Sequence, residues 1–131
     1  MKHDGIVTVT SLLTALLVTL HLAGDIARGI APGNLGSLVA LVLVVGVWLY
    51  GTLLLPGRRG GYVILILGSL LGLIIPVVHM KGAGIVGGSR TEGDFFFVWI
   101  LLALGVSAAF LLLLAVRGLW RLRRNGRAHA A

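Results

Sequence analysis

The chain contains no cysteine and few charged residues. Its 131 residues include 4 acidic residues, and charged residues of both signs make up 11% of the total, whereas soluble domains carry about 25%. The absence of cysteine excludes disulfides, thiolate nucleophiles and cysteine-ligated metal clusters. The shortage of charge is atypical of a soluble globular domain and directs attention to the apolar part of the sequence.

Long apolar runs occupy most of the chain. Hydrophobic residues make up 58% of it, and four runs cover residues 6–27, 35–55, 62–80 and 95–116. Each run is close to the roughly 20 residues with which a helix crosses about 30 Å of hydrocarbon. The first and second connections are short, so successive spans are expected to be antiparallel neighbours. We therefore predict an all-α integral membrane protein, a four-helix antiparallel bundle in which residues 1–131 form a single transmembrane domain.

The positive charges lie mainly on one side of the predicted spans. Eight lysines and arginines flank the side that carries both termini and the second connection, and three flank the other side. Because cytoplasmic flanks are enriched in lysine and arginine, both termini are predicted to be cytoplasmic, in a membrane of the bacterial cytoplasmic type. On the outer side, the aromatic run at residues 95–97 is expected to anchor the fourth span at the interface.

A basic tail, residues 117–131, follows the fourth span. Its arginines are interspersed with leucine and tryptophan, which is typical of a segment that binds anionic lipid headgroups. The residues assigned to this contact are Arg117, Arg121, Arg123 and Arg124. Since most of the net charge of +7 lies beside span ends, it is explained by topology and lipid, and nucleic acid is not predicted as a partner.

Polar side chains recur along one face of the first predicted helix. Six positions at intervals of three or four residues are Ser11, Thr14, Val18, His21, Asp25 and Arg28. Such intervals place side chains on one face of a helix, and five of the six are polar. Ionisable groups that face lipid at depth cost several kcal/mol. The stripe is therefore expected to face other helices or a water-filled space.

The third span brings a second histidine to the same depth. Because the first and third spans run in the same direction, His79 is expected near the level of His21 and Asp25. The predicted ligand or proton site near the outer leaflet consists of His21, Asp25, Arg28 and His79. Glu92 and Asp94, in a predicted loop that runs from residue 81 to residue 94, could close over it.

Three kinds of chemistry suit these residues. Histidine and aspartate four residues apart can hold one divalent metal from a single helix face, so His21, Asp25 and His79 are the candidate metal ligands. A haem b would require the two histidines to lie on facing helices. Asp25 and His21 could instead relay protons. No catalytic residue is assigned.

Three functions remain open from the sequence. The preferred interpretation is a non-enzymatic binding or accessory subunit with a polar ligand or partner site near the outer leaflet. The alternatives are a metal- or haem-binding redox or enzymatic membrane protein and a small proton-coupled transporter. The expected partners are the lipid bilayer and either further copies of the chain or another membrane subunit.

Overall fold

A computed structural model describes residues 3–81 and 92–128, with the side chains of residues 4–79 and 95–125. Within these ranges the chain is helical: α1 (His3–Ala27), α2 (Leu35–Leu49), α3 (Arg59–Lys81) and α4 (Glu92–Ala128). A π-helical turn, Tyr50–Leu54, extends α2. Counting that turn with α2, four helices of the described chain are long and apolar enough to cross a membrane. The predicted all-α, four-helix architecture is thus confirmed.

Contacts at the two ends of the bundle fix the helix directions. Near the starts of α1 and α3, the Tyr62 hydroxyl lies 3.4 Å from Asp4 Oδ1. At their other ends the rings of His21 and His79 are 4.7 Å apart, and Phe97 near the start of α4 packs against both. α1 and α3 are therefore parallel, and α4 runs antiparallel to both. We call these two ends the Tyr62 end and the histidine end.

α4 supplies the core against which α1 and α3 pack. Its most deeply buried side chains recur at intervals of three and four residues, and they are Leu101, Leu104, Ala108, Leu111 and Ala115. Small residues allow close approach between the helices. Gly72 of α3 faces Ala108, and Gly105 of α4 faces the Pro76 ring.

α2 is joined to α1 by a closed ring of hydrogen bonds. Trp48 Nε1 donates to Ser11 Oγ (2.8 Å), and Ser11 Oγ lies 2.7 Å from Thr52 Oγ1. Thr52 Oγ1 in turn donates to the Trp48 carbonyl (2.9 Å). Each buried hydroxyl is satisfied, which is required where a polar group is kept from water. Most of the remaining α2 surface is exposed and apolar.

α4 begins earlier than the sequence predicts, and as expected it continues beyond the fourth span into the basic tail. It starts at Glu92 and ends at Ala128, whereas the predicted span covers residues 95–116. Glu92 and Asp94 therefore lie on the first turn of a helix and not in a loop. Acidic residues favour this position because the helix N-terminus carries a partial positive charge. Their side chains fall outside the described part of the structure.

Replacing Gly72 by alanine tests the close approach of α3 and α4. A Cβ at Gly72 would lie 2.9 Å from the Ala108 Cβ, so Gly72→Ala should lower the free energy of unfolding by about 1–3 kcal/mol, as overpacked cores do. The measurement is helicity by circular dichroism during titration of mixed micelles with sodium dodecyl sulfate.

Gly46→Ala is the matched control. A Cβ at Gly46 would meet no described atom within 4 Å, and alanine favours the helix interior over glycine by roughly 0.5–1 kcal/mol. This variant should be as stable as the wild type or more so. Equal effects of the two substitutions would contradict the close packing of Gly72 on Ala108.

Candidate functional site

The end of α1 holds Asp25 in place. Beyond Ala27 the chain turns at Gly29, whose φ of +69° favours glycine. The Gly29 N–H donates to the Ile26 carbonyl (3.0 Å), and the Ile30 N–H donates to the Asp25 carbonyl (2.9 Å). This pair of bonds is a Schellman motif, a common helix C-cap. Asp25 is therefore anchored by its backbone at the point where α1 stops.

The Asp25 carboxylate is the centre of the site. Its Oδ2 lies 3.3 Å from His21 Nε2 and 3.3 Å from His79 Nε2. Its Oδ1 lies 3.8 Å from the guanidinium Nη2 of Arg28. His21 and Asp25 are buried, and His79 is half-buried. One carboxylate oxygen is thus shared by two imidazoles, and the other faces a cation.

The His79 ring is oriented by its own helix. Its Nδ1 lies 2.9 Å from the Ile75 carbonyl oxygen. A carbonyl can only accept, so Nδ1 carries the proton and Nε2 of the neutral ring presents a lone pair. That lone pair faces Asp25 Oδ2. Two electron-rich atoms at this separation repel each other unless a proton or a metal ion lies between them.

Phe97 covers the two imidazoles. Its ring stacks on His21 with centroids 5.4 Å apart and meets His79 edge-on at 5.7 Å. The Arg28 guanidinium carbon lies 3.4 Å from the Phe97 ring centroid, in a cation–π contact. Phe97 is 9% exposed, whereas Phe95 and Phe96 are 70% and 65% exposed. Of the three phenylalanines, Phe97 therefore belongs to the site, and Phe95 and Phe96 lie on the surface. The sequence analysis did not predict this role for Phe97.

The structure brings four of the predicted site residues together and leaves others apart. His21, Asp25, Arg28 and His79 meet at the histidine end. The stripe residues Ser11 and Thr14 are also buried, but they lie nearer the start of α1, away from the site. Ser11 joins the ring of hydrogen bonds with Trp48, and Thr14 Oγ1 donates to the Thr10 carbonyl. The predicted headgroup residues lie on the exposed part of α4 at the Tyr62 end; they are Arg117, Arg121, Arg123 and Arg124.

The two distances between the Asp25 carboxylate and the imidazoles match the spacing of metal ligands. One ligand atom from each of His21, Asp25 and His79 lies within 4.8 Å of the others. Metal–ligand bonds of about 2.0–2.1 Å at tetrahedral angles separate neighbouring ligand atoms by roughly 3.3 Å, which is the distance from Asp25 Oδ2 to each imidazole Nε2. The contact between Nδ1 of His79 and the Ile75 carbonyl is the kind of outer hydrogen bond that orients metal-ligating histidines.

A haem does not suit this arrangement. The imidazole rings touch edge to face with centroids 4.7 Å apart, which leaves no gap for a porphyrin between them. Asp25 also occupies the space beside both Nε2 atoms. A single ion bound by the three side chains therefore fits better than a bis-histidine haem.

Comparison with known proteins finds no matching family model, no similar curated protein and no similar solved structure. Function must therefore be inferred from the chemistry of the histidine end. What that end offers is a buried carboxylate, two imidazole nitrogens directed at it and an aromatic cover.

Phe97→Leu tests whether this aromatic side chain holds the cluster together. Leucine keeps most of the apolar volume but loses the contacts with two imidazoles and a guanidinium, and aromatic pairs contribute about 0.5–1.5 kcal/mol each beyond their buried area. We expect the free energy of unfolding to fall by about 1–2 kcal/mol. Phe96→Leu, on the exposed side of α4, should change it by less than about 0.5 kcal/mol. Equal losses in the two variants would refute the assignment.

Proposed function

We propose that this is an integral membrane protein that binds a divalent transition-metal ion through His21, Asp25 and His79, at the outer end of its bundle. The observation that carries the proposal is the shared position of Asp25 Oδ2, 3.3 Å from the Nε2 atom of each histidine. Of the functions that the sequence leaves open, metal binding is supported by the agreement of both Asp25–histidine distances with tetrahedral ligand spacing.

The proposed orientation follows from the charges at the two ends. The Tyr62 end carries exposed arginines just before α3, at the start of α3 and on α4, including Arg58, Arg59 and Arg117. At the histidine end, the described arginine Arg28 folds over Phe97 beside Asp25. Since lysine and arginine are enriched on the cytoplasmic side, we place both termini in the cytoplasm. The exposed arginines of α4 would then meet anionic headgroups.

The donor set indicates which metals the site would take. Two imidazole nitrogens and one carboxylate suit zinc, cobalt, nickel or copper, whereas magnesium and calcium prefer oxygen ligands alone. Structural zinc sites are usually closed by four protein ligands, and sites with three keep a position open for water or another molecule. The cluster therefore suits a metal that exchanges one ligand, in keeping with a binding protein. We assign no reaction to it.

Proton sharing is the second candidate, because a proton on His79 or Asp25 would also separate the facing lone pairs. In that case the cluster would serve a proton-coupled transporter and would have little affinity for metals. A metal titration distinguishes the two.

Cobalt(II) is the probe for the metal site, since its visible absorption reports tetrahedral coordination. We expect the purified protein in detergent to bind one cobalt ion, which zinc displaces. The variants His21→Ala, Asp25→Asn and His79→Ala should each weaken binding at least about tenfold, which is 1.4 kcal/mol. Affinity should fall as the pH is lowered, because protons compete with the metal for the imidazole nitrogens.

His129→Ala is the control, because it removes a histidine from the basic tail and should bind cobalt as the wild type does. Unchanged affinity in all three site variants would overturn the metal site. Absence of cobalt binding together with proton flux in liposomes that Asp25→Asn abolishes would favour the transporter.

Single cysteines test the orientation, since the chain has none of its own. Pro32→Cys lies in the turn between α1 and α2, and Gly60→Cys lies at the start of α3. In bacterial cells whose outer membrane has been permeabilised, a membrane-impermeant maleimide should label Pro32→Cys and reach Gly60→Cys only after the inner membrane is disrupted. The opposite pattern would place both termini outside.

A further inference from the structure

Arg28 lies at the rim of the histidine end and is held there by three contacts. Its Nε donates to the Gly24 carbonyl (3.1 Å), its guanidinium carbon lies 3.4 Å from the Phe97 ring centroid, and its Nη2 lies 3.8 Å from Asp25 Oδ1. Gly24 has no side chain, and a Cβ at that position would lie 3.3 Å from Arg28 Nη2. The backbone of α1 therefore leaves room for the guanidinium to fold back over the site.

The charges of the described site residues balance when no metal is bound. Asp25 carries one negative charge, Arg28 carries one positive charge, and an imidazole that presents a lone pair to a metal is neutral. A divalent ion would add two positive charges, so that a single carboxylate would face two cations. Because His21 and Asp25 are buried, water screens the repulsion between those cations only weakly. Metal binding and the contact between Asp25 and Arg28 therefore oppose each other.

The exposed members of the cluster mark the side from which an ion can reach Asp25. The side chains of Arg28 and His79 are 28% and 24% exposed, whereas those of Asp25 and His21 are 8% and 5% exposed. Phe97 packs against both imidazoles. An incoming cation therefore approaches the carboxylate from the side of Arg28 and His79, within range of the guanidinium charge.

We infer that Arg28 regulates the proposed metal site as a built-in competitor of the metal. Its guanidinium neutralises Asp25 while the site is empty and turns outward when a divalent ion binds. This inference rests on the proposed metal site, because it is the bound ion that displaces the guanidinium. The distance of 3.8 Å between Nη2 and Oδ1 is longer than a hydrogen bond, so Arg28 can leave Asp25 without losing one.

Arg28→Gln separates competition from a purely structural role. The variant loses the positive charge but keeps a polar side chain, so it should bind cobalt(II) at least about tenfold more tightly than the wild type. Without metal, the same variant should unfold more easily, because the buried Asp25 carboxylate has lost its counter-charge. A residue that only held the site together would, when replaced, weaken cobalt binding as well as stability. The measurements are titration of the visible cobalt absorption and unfolding by sodium dodecyl sulfate in mixed micelles.

Two further variants are the controls. Arg28→Lys keeps the charge but lacks the Nε–H that reaches the Gly24 carbonyl, and its cobalt Kd should stay within about threefold of the wild-type value. Arg58→Gln removes an exposed arginine at the Tyr62 end and should change neither the cobalt Kd nor the stability. A cobalt Kd that rises or stays constant in Arg28→Gln would overturn the inference. Equal tightening in Arg58→Gln would also overturn it, because the effect would then belong to the overall charge of the chain.

The same titrations distinguish failure of this inference from failure of the metal site. Cobalt binding that requires His21, Asp25 and His79 but is unchanged in Arg28→Gln would overturn the competition and leave the metal site standing. Cobalt binding by Arg28→Gln but not by the wild type would support the competition, because Arg28 would then keep the site empty, and would overturn metal binding as the function of the wild-type protein. Absence of cobalt binding in both proteins would overturn both proposals.

Discussion

The Asp25 carboxylate is buried, and the surrounding helices must compensate for the cost of removing it from water. It lies near the end of a helix that is otherwise apolar enough to cross a membrane, and an isolated carboxylate in such surroundings costs several kcal/mol. The protein surrounds it with groups from three helices: His21 and Arg28 from α1 and its turn, His79 from α3, and Phe97 from α4. The arrangement of those helices follows from this need together with the packing of α4.

Polar groups on α1 are satisfied at two separate levels. At one level Ser11 closes a ring of hydrogen bonds with Trp48 and Thr52, which joins α1 to α2. At the other, Asp25 joins α1 to α3. Between these levels α1 presents Ala15 and Val18 to the core. The polar stripe therefore consists of two interhelical joints separated by an apolar section, and it does not form a continuous polar path.

The sequence predicted the helices well because apolar length and charge-free runs are local properties of the chain. The burial of His21 and Asp25 also followed from local periodicity, since three- and four-residue intervals place them on one face with Ser11 and Thr14. The meeting of His21 with His79 could not be derived in this way. It depends on which helices become neighbours, and in a simple square bundle the first and third would lie on a diagonal. Gly72 of α3 lies close both to Ala108 of α4 and to Thr14 of α1, and this packing brings the two histidine-bearing helices together.

The periodicity of the buried residues of α4 indicates that Phe97 is buried, although its position in a run of three phenylalanines makes this hard to recognise. Phe97 precedes Leu101, Leu104 and Ala108 by intervals that continue the buried face of α4, so the periodicity of the core separates it from its two neighbours. The start of α4 at Glu92 was harder to predict, because the glycine-rich stretch before it is typical of a loop and gives no sharp boundary.

The continuity of α4 has a mechanical consequence. Phe97 and Arg124 belong to the same uninterrupted helix and are about 40 Å apart along its axis. Because the buried leucines and alanines between them pack against α1 and α3, the ring over the imidazoles cannot shift along the bundle by itself. If the chain spans a bilayer as proposed, a change in bilayer charge or thickness that tilts or slides the arginine-bearing end of α4 would be transmitted along the helix to Phe97 at the other end.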